Sequence, residues 1–253
     1  MSDNKDLRLA VLIDADNVPY RNIKGILEEI AKYGTPTIKR IYGDWTKPTV
    51  SGWKTVLLEN AITPIQQYSY TTGKNSTDSA MIIDAMDILY TDKVEGFCIL
   101  SSDSDFTRLV TRLREEGMKV FGFGERKTPS PFIAACDKFT YIEIISSPIS
   151  YEGAGPVHSH GSAQKETDRA DTLDPDIISL ISSSIDDVAD ENGWAFLATV
   201  GNLIIKKKPD FDSRNYGYIK LTPLIKSLKQ FEIQERETNI SNIKHVYIRN
   251  LVD

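Results

Sequence analysis

Short apolar runs alternate with helical patterns through residues 7–144. The first run, Leu7–Ile13, is apolar except for one arginine, which is typical of a strand covered on both faces. Because the intervening segments are mostly helical, the pattern predicts repeated β-α-β units and an α/β fold with a mainly parallel sheet. Six strands are predicted, at Leu7–Ile13, Thr37–Tyr42, Thr63–Tyr68, Gly96–Leu100, Lys119–Phe123 and Phe139–Ile145.

Two helices of this half follow from their apolar stripes. The apolar positions of residues 106–113 recur at the spacing of one helix face, which predicts a helix with Ser104 or Asp105 as its N-cap and Gly117 just past its end. A second helix is predicted over residues 76–90, where the apolar positions again form one face.

Residues 146–172 lack apolar periodicity and are rich in Ser, Gly, Pro and acidic residues. We therefore predict a flexible linker here. His158 and His160 lie inside it, and we expect them to be solvated, because no third metal ligand is near in sequence. The predicted linker separates a domain of residues 1–145 from a smaller domain of residues 173–253.

The smaller domain is predicted to be a winged helix, because three helices are followed by two short strands. We expect Trp194 and Phe196 in its core. The elements are an isoleucine stripe over 177–185, helices at Leu197–Lys207 and Leu221–Leu228, and strands at Phe231–Glu235 and His245–Ile248.

Acidic residues follow two of the predicted strands directly. Asp14 closes the first strand, and Asp103 and Asp105 come just after Gly96–Leu100. In an open parallel sheet the reactive crevice lies outside the carboxyl ends of the strands. If these two strands are neighbours, about 4.8 Å apart, their terminal acids come within reach of one cation.

A fourth acid, Asp78, heads the buried face of the helix predicted over 76–90, and so points towards the same crevice. Asp87 falls on the opposite face, and the side of Asp84 is left open. Four clustered carboxylates repel one another unless some are protonated or a divalent cation neutralises them. Oxygen ligands without His or Cys favour Mg²⁺ or Mn²⁺ over Zn²⁺, and metal-assisted phosphodiester hydrolysis is the implied chemistry.

Structural interpretations of single acids compete with this hypothesis. Asp105 could serve only as an N-cap, and Asp78 could stabilise its helix only through the macrodipole. Asp16 could be a simple turn residue.

Composition and charge restrict the possible partners. The chain of 253 residues has a net charge of −6, and the counts of basic and acidic residues are 18 and 20 over 1–150, 2 and 6 over 151–180, and 10 and 10 over 181–253. No part is basic as a whole, so bulk attraction to nucleic acid is not supported and any phosphate contact needs a local patch. The two cysteines indicate no disulfide framework. Without a long apolar segment or signal peptide, we expect a cytoplasmic protein and no membrane partner.

Three ordered motifs carry a family resemblance. Leu12–Asn17, Gly73–Asp78 with Asp84 six residues on, and Ser101–Phe106 resemble the signatures of NYN domains, which are PIN-like ribonucleases, with the LabA-like branch most similar. The resemblance implies a PIN-like Rossmannoid sheet and a Mg²⁺- or Mn²⁺-dependent ribonuclease. By position it implies metal-binding, catalytic acids at Asp14, Asp78, Asp103 and Asp105, polar neighbours at Asn17 and Ser101, and Lys74 near the phosphate.

The C-terminal part has its own resemblance. Arg214–Tyr218, Lys220–Leu221 and Leu224–Leu228 resemble the OST-HTH or LOTUS domain, a winged helix, which implies RNA binding or, in some members, a protein partner. Basic residues concentrate on the predicted second and third helices, and two tyrosines could stack on bases. The expected RNA-binding residues are Lys206, Lys207, Lys208, Arg214, Tyr216, Tyr218 and Lys220, although the lysine run could equally be a solvated helix end.

The leading hypothesis is therefore an endoribonuclease for single-stranded RNA, joined to an RNA-binding winged helix. One alternative is a regulatory adaptor that keeps the fold, binds RNA or protein, and has no catalytic activity. Another, to which we give little weight, is an aspartyl-phosphate phosphatase, because Asp14–Val18 fits the pattern D-x-D-x-[T/V].

Overall fold

The computed structural model describes residues 6–68, 76–146, 174–237 and 244–251. Contacts within the chain divide it into two compact units, with the boundary after residue 147. The predicted linker lies outside the described residues, together with His158 and His160, except for Ser146 at the end of a helix. None of the helices in the described ranges combines the length and apolar character that crossing a bilayer requires.

The first unit is an α/β layer structure around one parallel sheet. Its strands are β1 (Arg8–Asp14), β2 (Thr35–Gly43), β3 (Thr63–Gln66), β4 (Gly96–Leu100), β5 (Lys119–Gly124) and β6 (Lys138–Tyr141). All neighbours pair in parallel. Their spatial order is β3-β2-β1-β4-β5-β6, so β1 and β4 lie side by side where the strand order reverses. The predicted mainly parallel sheet is confirmed.

Helices cover both faces of this sheet. They are α1 (Ile23–Ile30), α2 (Trp53–Glu59), α3 (Ser76–Tyr90), α4 (Thr107–Glu115), α5 (Ser130–Ala135) and α6 (Ile142–Ser146). Side chains alternate along β1, so Leu9, Val11 and Ile13 pack with α1, α2 and α6, whereas Ala10 and Leu12 pack with α3, α4 and α5. This explains why β1 reads as a continuous apolar run.

The last predicted strand, Phe139–Ile145, is wrong in its second half. β6 ends at Tyr141, which pairs with Gly124, the last residue of β5. Beyond that pair no strand of the described residues continues the pairing, and the remaining apolar residues form α6, with Ile142 buried in the core. A short apolar run does not by itself distinguish a strand from a helix.

The second unit contains three helices and a small antiparallel sheet, as the winged-helix prediction requires. They are α7 (Pro175–Asp186), β7 (Ala195–Phe196), α8 (Leu197–Lys207), α9 (Leu221–Lys226), β8 (Phe231–Glu237) and β9 (Lys244–Asn250). The sheet order is β7-β9-β8, and β7 is a strand that the sequence pattern did not predict. Trp194 and Phe196 are half-buried and do not belong to the core cluster, so their predicted core position is wrong. Ala195, between them, is the residue that fills the core.

Candidate active site

The carboxyl ends of β1 and β4 and the start of α3 meet at one edge of the parallel sheet. Ile13 of β1 pairs with Leu100 of β4, so Asp14 and Ser101, the next residues, leave the sheet side by side. Asp14 follows Leu12 on the alternating face of β1, the face that α3 covers. The topology therefore directs Asp14 towards the first turn of α3, where Asp78 lies.

Asp14 is a buried carboxylate held by hydrogen bonds from both strand ends. It is 1% exposed. Ser101 Oγ donates to Asp14 Oδ2 over 2.9 Å and Asn17 Nδ2 donates to the same oxygen over 2.6 Å, while the Asp16 backbone N donates to Oδ1 over 3.1 Å. Burial raises the pKa of Asp14, and these three hydrogen bonds act in the opposite direction.

Asp16 itself has the exposed side chain of a turn residue. Its backbone N–H binds Asp14, while its carboxylate is one of the negative charges acting on Asp78. The turn interpretation from the sequence therefore agrees with its placement.

Three of the four predicted acids form a compact group. Asp78, Asp103 and Asp105 each present a carboxylate oxygen, and these oxygens all lie within 4.8 Å of one another. Asp14 is not part of this group but lies close enough that its charge acts on Asp78. Burial, followed by the charges of Asp14, Asp103, Asp105 and Asp16, raises the pKa of Asp78 to about 6.

The turn after β4 sets the positions of Asp103 and Asp105. The Asp103 backbone N donates to Ser101 Oγ over 3.1 Å, and Asp103 Oδ1 accepts from the Asp105 backbone N over 2.9 Å at the start of the 3₁₀ turn Ser104–Phe106. The N-cap is therefore Asp103, and the prediction of Ser104 or Asp105 as the cap is wrong. The helical signal begins earlier because this 3₁₀ turn precedes α4.

Asp84 joins α3 to the neighbouring strand β2. Its carboxylate accepts a hydrogen bond from the Tyr42 hydroxyl and forms an ion pair with Arg40. Tyr42 is fully buried, and burial is the main cause of its raised pKa, so it remains a neutral donor. Asp84 thus stabilises the packing of the helix that carries Asp78. Local sequence patterns contain no signal for these partners on a distant strand. Asp87 is exposed on the opposite face, as predicted.

This fold and site agree with the results of comparison with known families. Residues 8–143 match the family model described as NYN domain. The chain belongs to the NYN domain family. Residues 168–243 match the model described as OST-HTH/LOTUS domain, so both family resemblances are confirmed. The NYN domain places the chain among the PIN-like nucleases, and the OST-HTH domain indicates RNA binding.

Three solved structures are similar to parts of this NYN protein. A crystal structure of a protein of unknown function from Vibrio parahaemolyticus is 21% identical and covers 56% of this chain and 96% of its own, with a TM-score of 0.46. A solution structure of an uncharacterized protein from Nitrosomonas europaea is 28% identical. The match covers 41% of this chain and 93% of that protein, with a TM-score of 0.30. A solution structure of part of a Chromobacterium violaceum protein is 34% identical. The match covers 30% of this chain and 82% of that structure, with a TM-score of 0.26. No curated protein matches this chain.

The donor set of the acid group fits a hard divalent cation. Three carboxylates from two separate elements, α3 and the turn after β4, converge without a His or Cys among them. Such oxygen ligands suit Mg²⁺ or Mn²⁺ better than Zn²⁺. Burial and, after it, the neighbouring carboxylates raise the pKa of Asp78, and a bound cation would offset the repulsion among these charges. Divalent metals are generally used by nucleases of this family. Lys74, expected near the phosphate, lies outside the described residues.

The residues expected to bind RNA in the NYN protein's second unit occupy different environments. Lys206 and Lys220 are exposed, while Lys207 pairs with Asp187 over 2.6 Å and Lys208 pairs with Asp210 over 3.1 Å. Arg214 binds Asp212 through two nitrogens, at 2.9 and 2.7 Å. Tyr216 and Tyr218 are half-buried and pack against the core. These residues therefore do not form one uniformly accessible patch.

Proposed function

We propose that this protein is a divalent-metal-dependent ribonuclease that cleaves single-stranded RNA endonucleolytically, and that its C-terminal domain binds RNA. The observation that carries the proposal is the convergence of Asp78, Asp103 and Asp105 at the point where the strand order of the sheet reverses. In open parallel sheets this is where ligands bind.

Asp78, Asp103 and Asp105 would hold Mg²⁺ or Mn²⁺. When bound, the ion supplies Lewis acidity towards the phosphodiester. Asp105 is the exposed member of the group and Asp103 is half-buried, so the group is open to a polymeric substrate on the Asp105 side. Asp78 must lose its proton to act as a ligand, and its pKa of about 6 means that the unliganded carboxylate does so only as the pH approaches neutrality.

Asp14 has a different task from the other three acids. It is almost fully buried, and it accepts hydrogen bonds from Asn17 and Ser101. Ser101 also binds the backbone of Asp103. Asp14 therefore fixes the turn that carries Asp103 relative to β1, and its charge adds to the field that favours a cation beside Asp78.

The C-terminal domain would supply RNA affinity that the acidic site lacks. The site concentrates negative charge, which repels phosphate until a cation is bound. Joining a nuclease to an RNA-binding module on one chain can raise the effective substrate concentration to roughly millimolar. The proposal therefore assigns binding mainly to one domain and hydrolysis to the other.

Cleavage of a labelled single-stranded RNA in Mn²⁺ tests the catalytic part. Asp103→Asn should reduce the rate by about a hundredfold or more, because even outer-shell partners of a metal site cost 10 to 100-fold when they are lost. Asp87→Asn is the matched control, because Asp87 is an exposed acid elsewhere on α3, and it should cleave as the parent does. Equal cleavage by the parent and Asp103→Asn would refute the site assignment.

A circular RNA distinguishes the modes of cleavage, because only an endonuclease can open it. Retained RNA binding without cleavage in Mg²⁺ or Mn²⁺ would instead favour the adaptor hypothesis. Phosphate release from a simple monoester, abolished by Asp14→Asn, would favour the phosphatase.

A further inference from the structure

The outer face of the small antiparallel sheet carries aromatic and basic side chains. On β9, Val246 and Ile248 pack into the core, so the alternation of the strand directs His245, Tyr247 and Arg249 to the opposite side. Positions 245–249 of β9 therefore show which side chains of the strand face the core and which face outwards.

The two flanking strands place similar residues beside them. Ala195 of β7 is in the core, so Trp194 and Phe196 lie on the outer side. On β8, Phe231 and Ile233 pack inwards, so Arg236 lies outwards. We define the outer sheet face by six residues, which are Trp194, Phe196, Arg236, His245, Tyr247 and Arg249.

These six side chains form one continuous chain of contacts. The Arg236 guanidinium lies 4.1 Å from the ring centroid of Tyr247 and 5.4 Å from that of Trp194, and the Arg249 guanidinium lies 4.7 Å from Trp194. The Phe196 ring is 4.9 Å from His245 and 5.7 Å from Tyr247. Register agrees with these contacts, because Phe196 pairs with Tyr247 and Arg236 pairs with His245.

The fold of the domain does not require this composition. None of the six residues belongs to the hydrophobic cluster that forms the core of the domain within the described residues. Solvent-facing positions of antiparallel strands are usually polar, yet here four of eight outward positions are aromatic or imidazole rings, once Glu232 and Gln234 on the same side of β8 are counted. His245 is exposed, and the other five are half-buried. The face is therefore a continuous aromatic and basic surface on the outside of the domain, in which the Phe196 ring is tilted by 38° against His245 and by 45° against Tyr247.

The charge of this face suits a polyanion. Arg249 pairs with Glu232 over 2.5 Å, whereas Arg236 donates from Nε to Gln234 over 2.8 Å and has no acidic partner within the described residues. The outer positions of β8 and β9 thus carry two guanidinium groups against one carboxylate, in a chain with a net charge of −6. An apolar peptide would not match these guanidinium groups, while phosphate groups beside stacked bases would.

We propose that the outer sheet face binds single-stranded RNA by stacking unpaired bases on its rings and guanidinium planes, with Arg236 towards the phosphate. Aromatic rings and arginine planes are the surfaces on which single-stranded bases stack. This inference rests on the proposed RNA binding by the C-terminal domain and assigns it to the sheet. The predicted helical residues Arg214 and Lys207 already bind Asp212 and Asp187.

Fluorescence anisotropy of a labelled mixed-sequence single-stranded RNA with the full chain tests the proposal. The titration is done in EDTA, so that no metal-dependent cleavage occurs. Tyr247→Ala and Trp194→Ala should each weaken binding by about tenfold, the effect of losing one base stack. Tyr247→Phe and Trp194→Phe keep the rings and should bind within about twofold of the parent.

Further variants test whether a loss of binding reflects unfolding, and whether a different surface of the domain binds the RNA. His245→Ala removes an exposed ring and should weaken binding while thermal unfolding stays as in the parent. Ser179→Ala is the matched control at an exposed position of α7, and it should bind as the parent does. Lys206→Ala, on the exposed part of α8, tests the helical residues as the rival RNA-binding surface. An RNA duplex, whose base faces are already stacked, should compete poorly.

The proposal is overturned if the parent does not bind the RNA, if folded Tyr247→Ala and His245→Ala bind as tightly as the parent, or if the phenylalanine variants fail to retain affinity. It is also overturned if Lys206→Ala alone removes binding, or if this face captures a protein and not RNA. Because binding is measured in EDTA, failure of the nuclease proposal leaves the result intact. Conversely, Mn²⁺-dependent cleavage by a protein whose face variants bind normally would overturn only this inference.

Discussion

Ser101 Oγ donates a hydrogen bond to Asp14 Oδ2 over 2.9 Å, which joins the ends of two neighbouring strands that lie 87 residues apart in sequence. Both side chains are buried. The same hydroxyl oxygen accepts from the backbone N of Asp103, so one serine connects the buried acid to the group of three acids.

Ser101→Ala should therefore destabilise the protein. It leaves a buried carboxylate oxygen with one donor fewer, which costs about 1–3 kcal/mol of the free energy of unfolding. It should also raise the pKa of Asp14 further, because the lost hydrogen bond favours the charged form. Urea denaturation measures the first effect. Ser104→Ala, at an exposed position of the same turn, is the control and should change stability by less than about 0.5 kcal/mol.

Asp78 should make the metal-free protein less stable as the pH rises. Its pKa in the folded state is about 6, above the ordinary value of 3.8, so between these values the folded state holds a proton that the unfolded state has released. The free energy of unfolding therefore falls from about pH 4 to pH 6 and stays lower above it. Asp78 is only partly buried, which reduces the size of this effect.

Asp78→Asn removes this pH dependence. In EDTA the variant should match the parent near pH 3.5 and become more stable than the parent by pH 7, as measured by chemical denaturation across that range. Asp87→Asn should follow the parent at every pH. A parent whose stability advantage over Asp78→Asn grows between pH 4 and 6 would contradict the assigned direction.

Mn²⁺ should stabilise the protein through the acid group. At about 100 times its Kd, an ion that binds only the folded state adds about 2.7 kcal/mol to the free energy of unfolding. Asp105→Asn should lose most of this gain, because Asp105 supplies one of the three converging oxygens. Asp16→Asn changes an exposed acid outside the group and should retain most of it. Thermal unfolding with Mn²⁺ and with EDTA measures the difference.

Tyr42→Phe should loosen the attachment of α3 to the sheet. It deletes the hydroxyl that donates to Asp84, and a hydrogen bond to a charged group contributes about 1.5–3 kcal/mol. The fully buried ring of Tyr42 is kept in this variant, so a cavity does not complicate the result. Tyr90→Phe, near the end of the same helix but exposed, should lose less than about 0.5 kcal/mol. Equal losses in the two variants would contradict the role given to Asp84.

The parallel sheet could be predicted from sequence because its strands are buried on both faces and therefore appear as unbroken apolar runs. The acids could be placed for a related reason, since Asp14 and Asp103 directly follow such runs and the ends of parallel strands share one edge. Asp84 could not be placed, because its partners Arg40 and Tyr42 come from a strand more than 40 residues away. Local periodicity does not report such contacts.

In the C-terminal domain, too, only the elements long enough to form a recognisable pattern could be predicted from the sequence. α8 was predicted with its observed bounds, because an amphipathic pattern extends over 11 residues. Strand β7 has only two residues, too few for an alternating pattern to be recognised. Trp194 and Phe196 therefore looked like core residues, whereas pairing with β9 turns them outwards.

The distribution of the acids along the chain also controls when the site can exist. Asp14 is made early in synthesis, but β4 and the turn with Asp103 and Asp105 follow only some 90 residues later. A chain that ends before this turn lacks two of the three converging carboxylates, and one that also ends before β4 lacks the strand that pairs with one edge of β1. The acid group therefore forms only once the central strand pair of β1 and β4 is complete, and we expect N-terminal fragments that end before β4 not to bind Mn²⁺ through it.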